Sequence, residues 1–261
     1  QKLALRLKQE EVKIITLPKS ITNHIASTDN CIGFDSALTI AAESIDRLHT
    51  TAHSHHRIIV VEIMGEDSGW LTLGAGIAGG ADVILIPEIP YQVDKVAEAI
   101  LERSSKGKRF SLVAVSQGAI SEEDNRFFSK AHQINQYLRG DEQEYEEVEN
   151  QLTEIEEDFT GKSIDLAQRL RQATNLDTRI TILGFLQRGG APTATDRMLA
   201  TMLGTMSARF ASEDCWGIMT ASIANKAVAV PLEEVAGKMK PVPLDHPWII
   251  SARAVGTNLG D

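Results

Sequence analysis

The chain has 261 residues, 43% of them hydrophobic, and a formal net charge of −10. That length can bury a substantial core in one large or two modest α/β domains, and the acidic balance argues against general nucleic-acid binding while leaving room for arginines gathered at one anion site. The longest apolar runs fall far short of the roughly 20 residues a membrane helix needs, so no membrane span is expected, and Cys31 and Cys215 lack metal or redox spacing, as expected of reduced cytoplasmic thiols.

Gln1 to Gln9 reads as helix already under way, with Leu3, Leu5 and Leu7 and no capping residue ahead, as if the chain had been cut into. Val12 to Leu17 predicts a strand closed by Pro18. It feeds a loop, PKSITNHIASTDN, whose Ser, Thr, Asn and Asp are turn chemistry. Loops after strands are where parallel α/β sheets build their sites. Gly33 to His49 predicts a helix, with Leu38, Ala41, Ala42, Ile45 and Leu48 on one face. His49, His53, His55 and His56 read as a polar loop before a buried strand rather than as metal ligands, since no cysteine or carboxylate completes a set.

Arg57 to Pro90 holds the strongest signal. Ile58 to Ile63 is a buried-strand run, Trp70 to Gly80 a helix, and Val83 to Ile86 a second strand stopped by Pro87. Strand, helix and strand predict a βαβ unit with parallel strands and a right-handed crossover. Met64, Gly65, Glu66, Asp67 and Glu88 then fall at candidate ligand positions beyond the strand ends. Glycines 74, 76, 79 and 80 admit a phosphate-cradle reading or close helix–sheet packing. They sit late in the helix, where the dipole repels anions, which favours packing.

Val93 to Leu101 predicts a helix, Gly107 a turn, and Phe110 to Val115 a strand. Lys106, Lys108 and Arg109 beside that turn read as a solvated loop or a small-anion contact. From about Phe127 to Thr174 an amphipathic helical stretch carries the acidic run Asp141 to Asp158 and a stripe of Tyr145, Val148, Leu152 and Ile155. Asp177 to Leu186 predicts a strand followed by Arg188 and a Gly-Gly-Ala-Pro turn, a suitable place for a phosphate-holding guanidinium. Asp196 to Phe210 predicts a helix, and Trp216 to Ser222 with Lys226 to Pro231 a short hairpin.

The stretches PKSITNHIASTDNCIGFDSAL, SIDRLHTTAHSHHRIIVVEIMGEDSGWLTLGAGIAGGADVILIPE and TRITILGFLQRGGAPTATDRMLA, with NKAVAVPLEEV and ARAVGTNLGD, resemble the phosphofructokinase family, which phosphorylates fructose 6-phosphate. The resemblance implies an α/β fold of two similar domains with mainly parallel sheets. Residues 1–33 and 187–240 would be the remainder of the nucleotide-binding domain, and 34–186 and 241–261 the sugar-phosphate domain. The family's nucleotide loop and its glycine-rich GGDGS loop would lie before Gln1.

By this resemblance Ser20, Arg57, Met64, Gly65, Arg179 and Arg188 are retained sugar-phosphate contacts, Arg57 and Arg179 reaching a neighbouring subunit. Where the family reads TIDND, with its first aspartate the base for the sugar hydroxyl, this chain places Thr22 and His24. A neutral threonine is a very poor base, and losing such a base costs on the order of 10²- to 10⁴-fold in rate. Glu66 stands where the family has arginine, Gln117 where it has a sugar-holding glutamate, and Phe185 where it has histidine. Arg47, Gly80, Asp82, Lys106, Gly107 and Lys108 match positions that hold an allosteric effector's phosphates and metal, with His49 in place of an arginine.

The resemblance further implies ATP and Mg2+ as cofactors, although Lys19 occurs in pyrophosphate-using and some ATP-using members alike. It implies a cytoplasmic homo-oligomer, a tetramer by family, or pairing with an active homologous subunit. The expected function is a phosphofructokinase homologue that binds fructose 6-phosphate or another phosphorylated metabolite with catalysis lost or strongly weakened, as a regulatory or pseudoenzyme chain. The alternatives are an active ATP-dependent 6-phosphofructokinase with a rebuilt site, and a non-binding scaffold or gene remnant.

Overall fold

The β-branched run Ile58–Ile63 forms β2, the centre of a four-stranded sheet ordered β3-β4-β2-β5, with β3 at Val83–Leu85, β4 at Ser111–Ser116 and β5 at Thr178–Ile182. The computed structural model describes residues 1–55, 57–126 and 161–261. His56 and the stripe from Tyr145 to Ile155 lie outside them.

All four strands are parallel, with Ile58 opposite both Ser111 and Thr178. The βαβ unit is present, but β4 lies between its two strands. Alternation sends Ile59, Val61 and Ile63 to one side of the sheet and Ile58 and Val60 to the other. The first side packs on α2 (Phe34–His55) and α3 (Trp70–Ala78) through Ala41, Ile45, Leu71 and Ala75. The second packs on α4 (Val93–Ser105) and α5 (Lys162–Thr174) through Val96, Ile100, Leu166 and Leu170. A sheet covered on both faces explains the near-continuous apolar runs of β2 and β3, whereas the edge strand β5, TRITI, is only partly covered.

The α3 glycines serve packing. A Cβ on Gly74 would lie 2.6 Å from Leu38 Cδ1, one on Gly76 2.7 Å from Ile84 Cδ1, and one on Gly79 2.7 Å from Ile45 Cβ. Gly79 is also the C-cap, so the helix ends at the glycine pair as expected.

The second sheet, ordered β1-β6-β7, pairs β1 (Ile15–Thr16) parallel to β6 (Ile218–Ile223) and β6 antiparallel to β7 (Lys226–Pro231), which is the expected hairpin. The N-terminal helix α1 spans Lys2–Gln9 and α6 spans Ala194–Ser212. At the start of α6, Asp196 is buried and accepts the main-chain N–H groups of Gly33 (2.9 Å) and Ser36 (2.8 Å) and the Ser36 hydroxyl (2.5 Å). One carboxylate thus ties the starts of α2 and α6.

Three boundaries differ from expectation. Strand β1 keeps only two of the six predicted residues, because only Ile15 and Thr16 find partners in β6, and the flanking Val12 and Leu17 are exposed. Helix α2 runs on to His55, so His49 and His53 are helical rather than in a loop; no Gly or Pro interrupts it, and Ala52 is fully buried on its inner face. Strand β5 stops at Ile182, and Gly184, at φ +48°, turns the chain into a 3-10 helix, Gly184–Arg188. Arg188 therefore closes a helical turn rather than a strand. Among the described residues no helix is long and apolar enough to cross a membrane.

Candidate functional site

The loop after β1 folds back on itself. Asn23, buried at φ +55°, accepts the Cys31 N–H at 2.9 Å and donates to the Asp29 carbonyl at 3.2 Å. That tight turn gathers Ser20, Thr22 and His24. Thr22 Oγ1 lies 2.6 Å from His24 Nδ1, Ser20 Oγ lies 3.0 Å from the same nitrogen, and the two hydroxyl oxygens are 3.2 Å apart. The direction of His24, which depends on the left-handed turn at Asn23, was not readable from the sequence.

His24 also lines an open cleft of about 610 Å³, together with Lys2, Lys19 and Lys238. No acidic side chain lines it, which is notable in a chain of net charge −10. Such a basic concavity suits a polyphosphate tail. Magnesium fits less well. It demands oxygen ligands with carboxylates among them, whereas Ser20, Thr22 and His24 offer two hydroxyls and an imidazole, and the loop's one carboxylate, Asp29, accepts the Ala224 N–H and does not line the cleft. No group of three or more His, Cys, Asp or Glu side chains that would hold a metal occurs among the described residues.

A second half-site forms where β2 and β4 end side by side. Gly118 N–H donates to the Gly65 carbonyl at 3.0 Å, and the Ser116 hydroxyl donates to the same carbonyl at 2.6 Å. Met64 N–H donates to the buried Gln187 side chain at 3.2 Å. Met64, Gly65, Glu66 and Gln117 are therefore brought together, with Glu66 exposed. Phe185 is 77% exposed, and the Arg188 guanidinium stacks on its ring, 5.1 Å from the centroid. Glu88, a candidate ligand position, is occupied structurally. Its carboxylate accepts the N–H groups of Gly69 (3.0 and 3.1 Å) and Val242 (2.8 Å).

Arg57 and Arg179 stand elsewhere. Both reach Asp177, at 2.6 and 3.4 Å, on the N-terminal edge of the sheet. The six residues of β2 separate this edge from Met64, a span of about 20 Å at the ordinary strand rise. One small ligand cannot touch both ends within one chain.

A third group surrounds a cavity of about 230 Å³ lined by Gly80, Asp82, Arg103 and the turn Val255 to Thr257. Asp82 pairs with Arg103 at 2.5 Å and accepts the Leu112 N–H at 2.9 Å. Burial pushes the Asp82 carboxyl up, against the Leu112 N–H, Arg103, His49 and Lys108, which favour its charge. Arg103 is a residue that sequence reasoning missed; its position one turn before Lys106 was the available signal. Lys106 and Gly107 follow at the end of α4, with Lys106 paired to Glu102 at 2.6 Å. Arg47 is exposed, pairs with Glu43 at 2.5 Å and does not line the cavity. His49 Nε2 lies 2.7 Å from the Gly79 carbonyl, at the C-terminal end of α3.

Residues 1–211 match the family model described as Phosphofructokinase. The chain is 48% identical over 260 residues to the ATP-dependent 6-phosphofructokinase of Propionibacterium freudenreichii subsp. shermanii, covering all of this chain and 69% of that protein. It is 45% identical to the ATP-dependent 6-phosphofructokinase of Spirochaeta thermophila, again over its whole length and 66% of the relative. Among solved structures, the pyrophosphate-dependent phosphofructokinase from Marinobacter aquaeolei is similar in fold, with TM-score 0.70 and 21% identity over 99% of this chain and 60% of that one. The phosphofructokinase from Saccharomyces cerevisiae matches with TM-score 0.66 and 33% identity over 85% of this chain and 26% of its own. The chain spans about two thirds of the length of the curated relatives it matches.

Proposed function

We propose, for a chain that belongs to the phosphofructokinase family, that it binds a phosphorylated sugar, fructose 6-phosphate by that kinship, and that its phosphoryl transfer is strongly weakened. The observation carrying this reading is the loop itself. A hydroxyl, Thr22, stands where the relatives' resemblance places the carboxylate base, and its nearest partner is an imidazole at 2.6 Å. Phosphoryl transfer asks the protein for positioning, cationic clamps and a proton acceptor; the clamps are better supplied here than the acceptor.

Ser20, Met64, Gly65, Gln117 and Arg188 would hold the sugar phosphate, with Glu66 and Phe185 altering the charge and shape of that pocket. Arg57 and Arg179, about a strand length away, fit a contribution to a neighbouring copy's site, so a homo-oligomer is proposed with them. On this reading residues 1–33 and 187–240 serve the donor, and 34–186 and 241–261 the sugar. Gly80, Asp82, Lys106, Gly107 and Lys108, with Arg103, would form a regulatory anion site.

Calorimetry with fructose 6-phosphate on the purified chain tests the reading, with Arg188→Ala beside it. Saturable binding lost in the variant supports it. The absence of binding in a folded sample would overturn it in favour of a non-binding scaffold or remnant, and turnover as fast as the relatives' would replace weakened catalysis with an active, rebuilt enzyme.

A further inference from the structure

We propose that Thr22 and His24 form a proton relay that supplies the base for what phosphoryl transfer this site retains; the proposal rests on the phosphotransferase reading of the same loop. A threonine hydroxyl alone cannot hold a second proton at neutral pH. It can accept one only as it gives up its own, and His24 Nδ1, 2.6 Å from Thr22 Oγ1, is placed to take it.

The surroundings fix that geometry. Ser20 Oγ accepts the Thr22 N–H at 3.2 Å and lies 3.2 Å from Thr22 Oγ1, so its own hydrogen is free to point at Thr22 or at the ring nitrogen. The main chain is pinned on both sides: Asn23 by its side-chain bonds to Cys31 and Asp29, and His24 by the Lys240 N–H, which donates to its carbonyl at 2.8 Å. The ring faces charged groups of one sign. Lys2 on α1, Lys19 in the loop, and Lys238 near the second sheet line the same cleft.

In the step itself, the oxygen of a sugar hydroxyl attacks the terminal phosphorus of a polyphosphate donor. The bridging P–O bond breaks and its electron pair leaves with the shortened phosphate. The sugar hydroxyl's proton passes to Thr22 Oγ1 as the threonine's own proton passes to His24 Nδ1, leaving neutral threonine and an imidazolium.

The test uses the full chain with fructose 6-phosphate and either ATP or pyrophosphate, and nitrogen NMR of the His24 ring. His24→Ala and Thr22→Val are each expected to lower kcat at least tenfold with KM for the sugar unchanged, and Thr22→Asp to restore turnover in the His24→Ala background, because a carboxylate needs no relay. In the resting chain His24 should carry its proton on Nε2, with a Nδ1 resonance that moves in Thr22→Val. His24→Ala at undiminished kcat overturns the relay, as does a harmless Thr22→Val beside a damaging His24→Ala, which makes the imidazole a direct base. A ring protonated on Nδ1 overturns it even where turnover is too slow to follow. Failure of the sugar phosphate to bind in a folded sample overturns the phosphotransferase reading and the relay with it, whereas sugar binding that persists beside an undiminished kcat in His24→Ala overturns the relay alone.

Discussion

Lys240 gives its carbonyl to the Trp70 indole N–H at 2.9 Å and sets its ammonium 5.5 Å from the centre of the same ring. That ammonium also donates to the carbonyls of Thr28 and Asp29, each at 2.8 Å. One residue thereby joins the loop carrying Thr22 and His24 to the first turn of α3, which begins just after Met64, Gly65 and Glu66. The two halves of the candidate site belong to different sheets, and Lys240 links them directly.

Lys240→Met keeps the stem and removes the charge, leaving two carbonyls without their donor. Hydrogen bonds to a charged group contribute about 1.5–3 kcal/mol, so the variant should lose about 2 kcal/mol by urea unfolding. If the link positions the loop, affinity for fructose 6-phosphate should fall as well. A variant with unchanged unfolding midpoint would show that the clamp is not formed in solution.

The meeting of β2 and β4 makes a sharper demand. A Cβ on Gly118 would lie 1.8 Å from the Glu66 carbonyl oxygen, a main-chain atom that cannot rotate away. Gly118→Ala should therefore destabilise by about 3 kcal/mol, the upper part of the usual overpacking range, and should separate Gln117 from Met64. Gly204, inside α6 with nothing within 4 Å of its would-be Cβ, is the control. Gly204→Ala should stabilise by roughly 0.8 kcal/mol through helix propensity. Equal responses at the two sites would contradict this account.

Local chemistry was legible in the sequence and long-range pairing was not. The run Ile58–Ile63, the glycine-ended α3 and the hairpin of β6 and β7 stand as read, because each rests on composition within one segment. The parallel α/β class followed from them. The extent of β1 did not, since it is set by what β6 offers as a partner. The same holds at the sites. Residue types in the loop from Ser20 to His24 were plain, yet their convergence depends on the positive φ of Asn23. Arg103 reaches Asp82 because β3 pairs with β4, Val83 opposite Val113. Asp196 finds Ser36 across 160 positions of sequence. No periodicity reports contacts of that kind.

That Asp196 junction is itself open to test. Asp196→Ala strips the partner from the Gly33 and Ser36 N–H groups and from the Ser36 hydroxyl. An unsatisfied buried donor costs about 1–3 kcal/mol and these three are only partly buried, with incomplete additivity, so a loss of about 3 kcal/mol in all is expected in thermal or urea unfolding. Asp196→Asn, which keeps an acceptor oxygen, should lose clearly less. A near-neutral alanine variant would mean that water replaces the carboxylate without cost.

Alkaline pH should weaken the fold through Cys31. Its thiol is buried, and that burial, only partly offset by Lys240 and a main-chain hydrogen bond from Ile25, pushes its pKa from 9.0 up to about 11. Below pH 9 the thiol keeps its proton whether the chain is folded or not, so stability does not change on its account. Between about 9 and 11 the unfolded chain releases the proton while the folded chain holds it. The folded state then binds more protons, and stability falls with rising pH at about 1.4 kcal/mol per unit. Above that window the loss levels off. Lys240 acts with the opposite sign, since burial lowers its pKa and the folded chain releases that proton first. The measurement is therefore a difference, unfolding free energy of the wild type minus that of Cys31→Ala across pH 8 to 11.5. The difference should be flat to about pH 9 and then decline by about 3 kcal/mol in total. A difference that stays flat through pH 11 would show that the thiol ionises as freely in the folded chain as in the unfolded one.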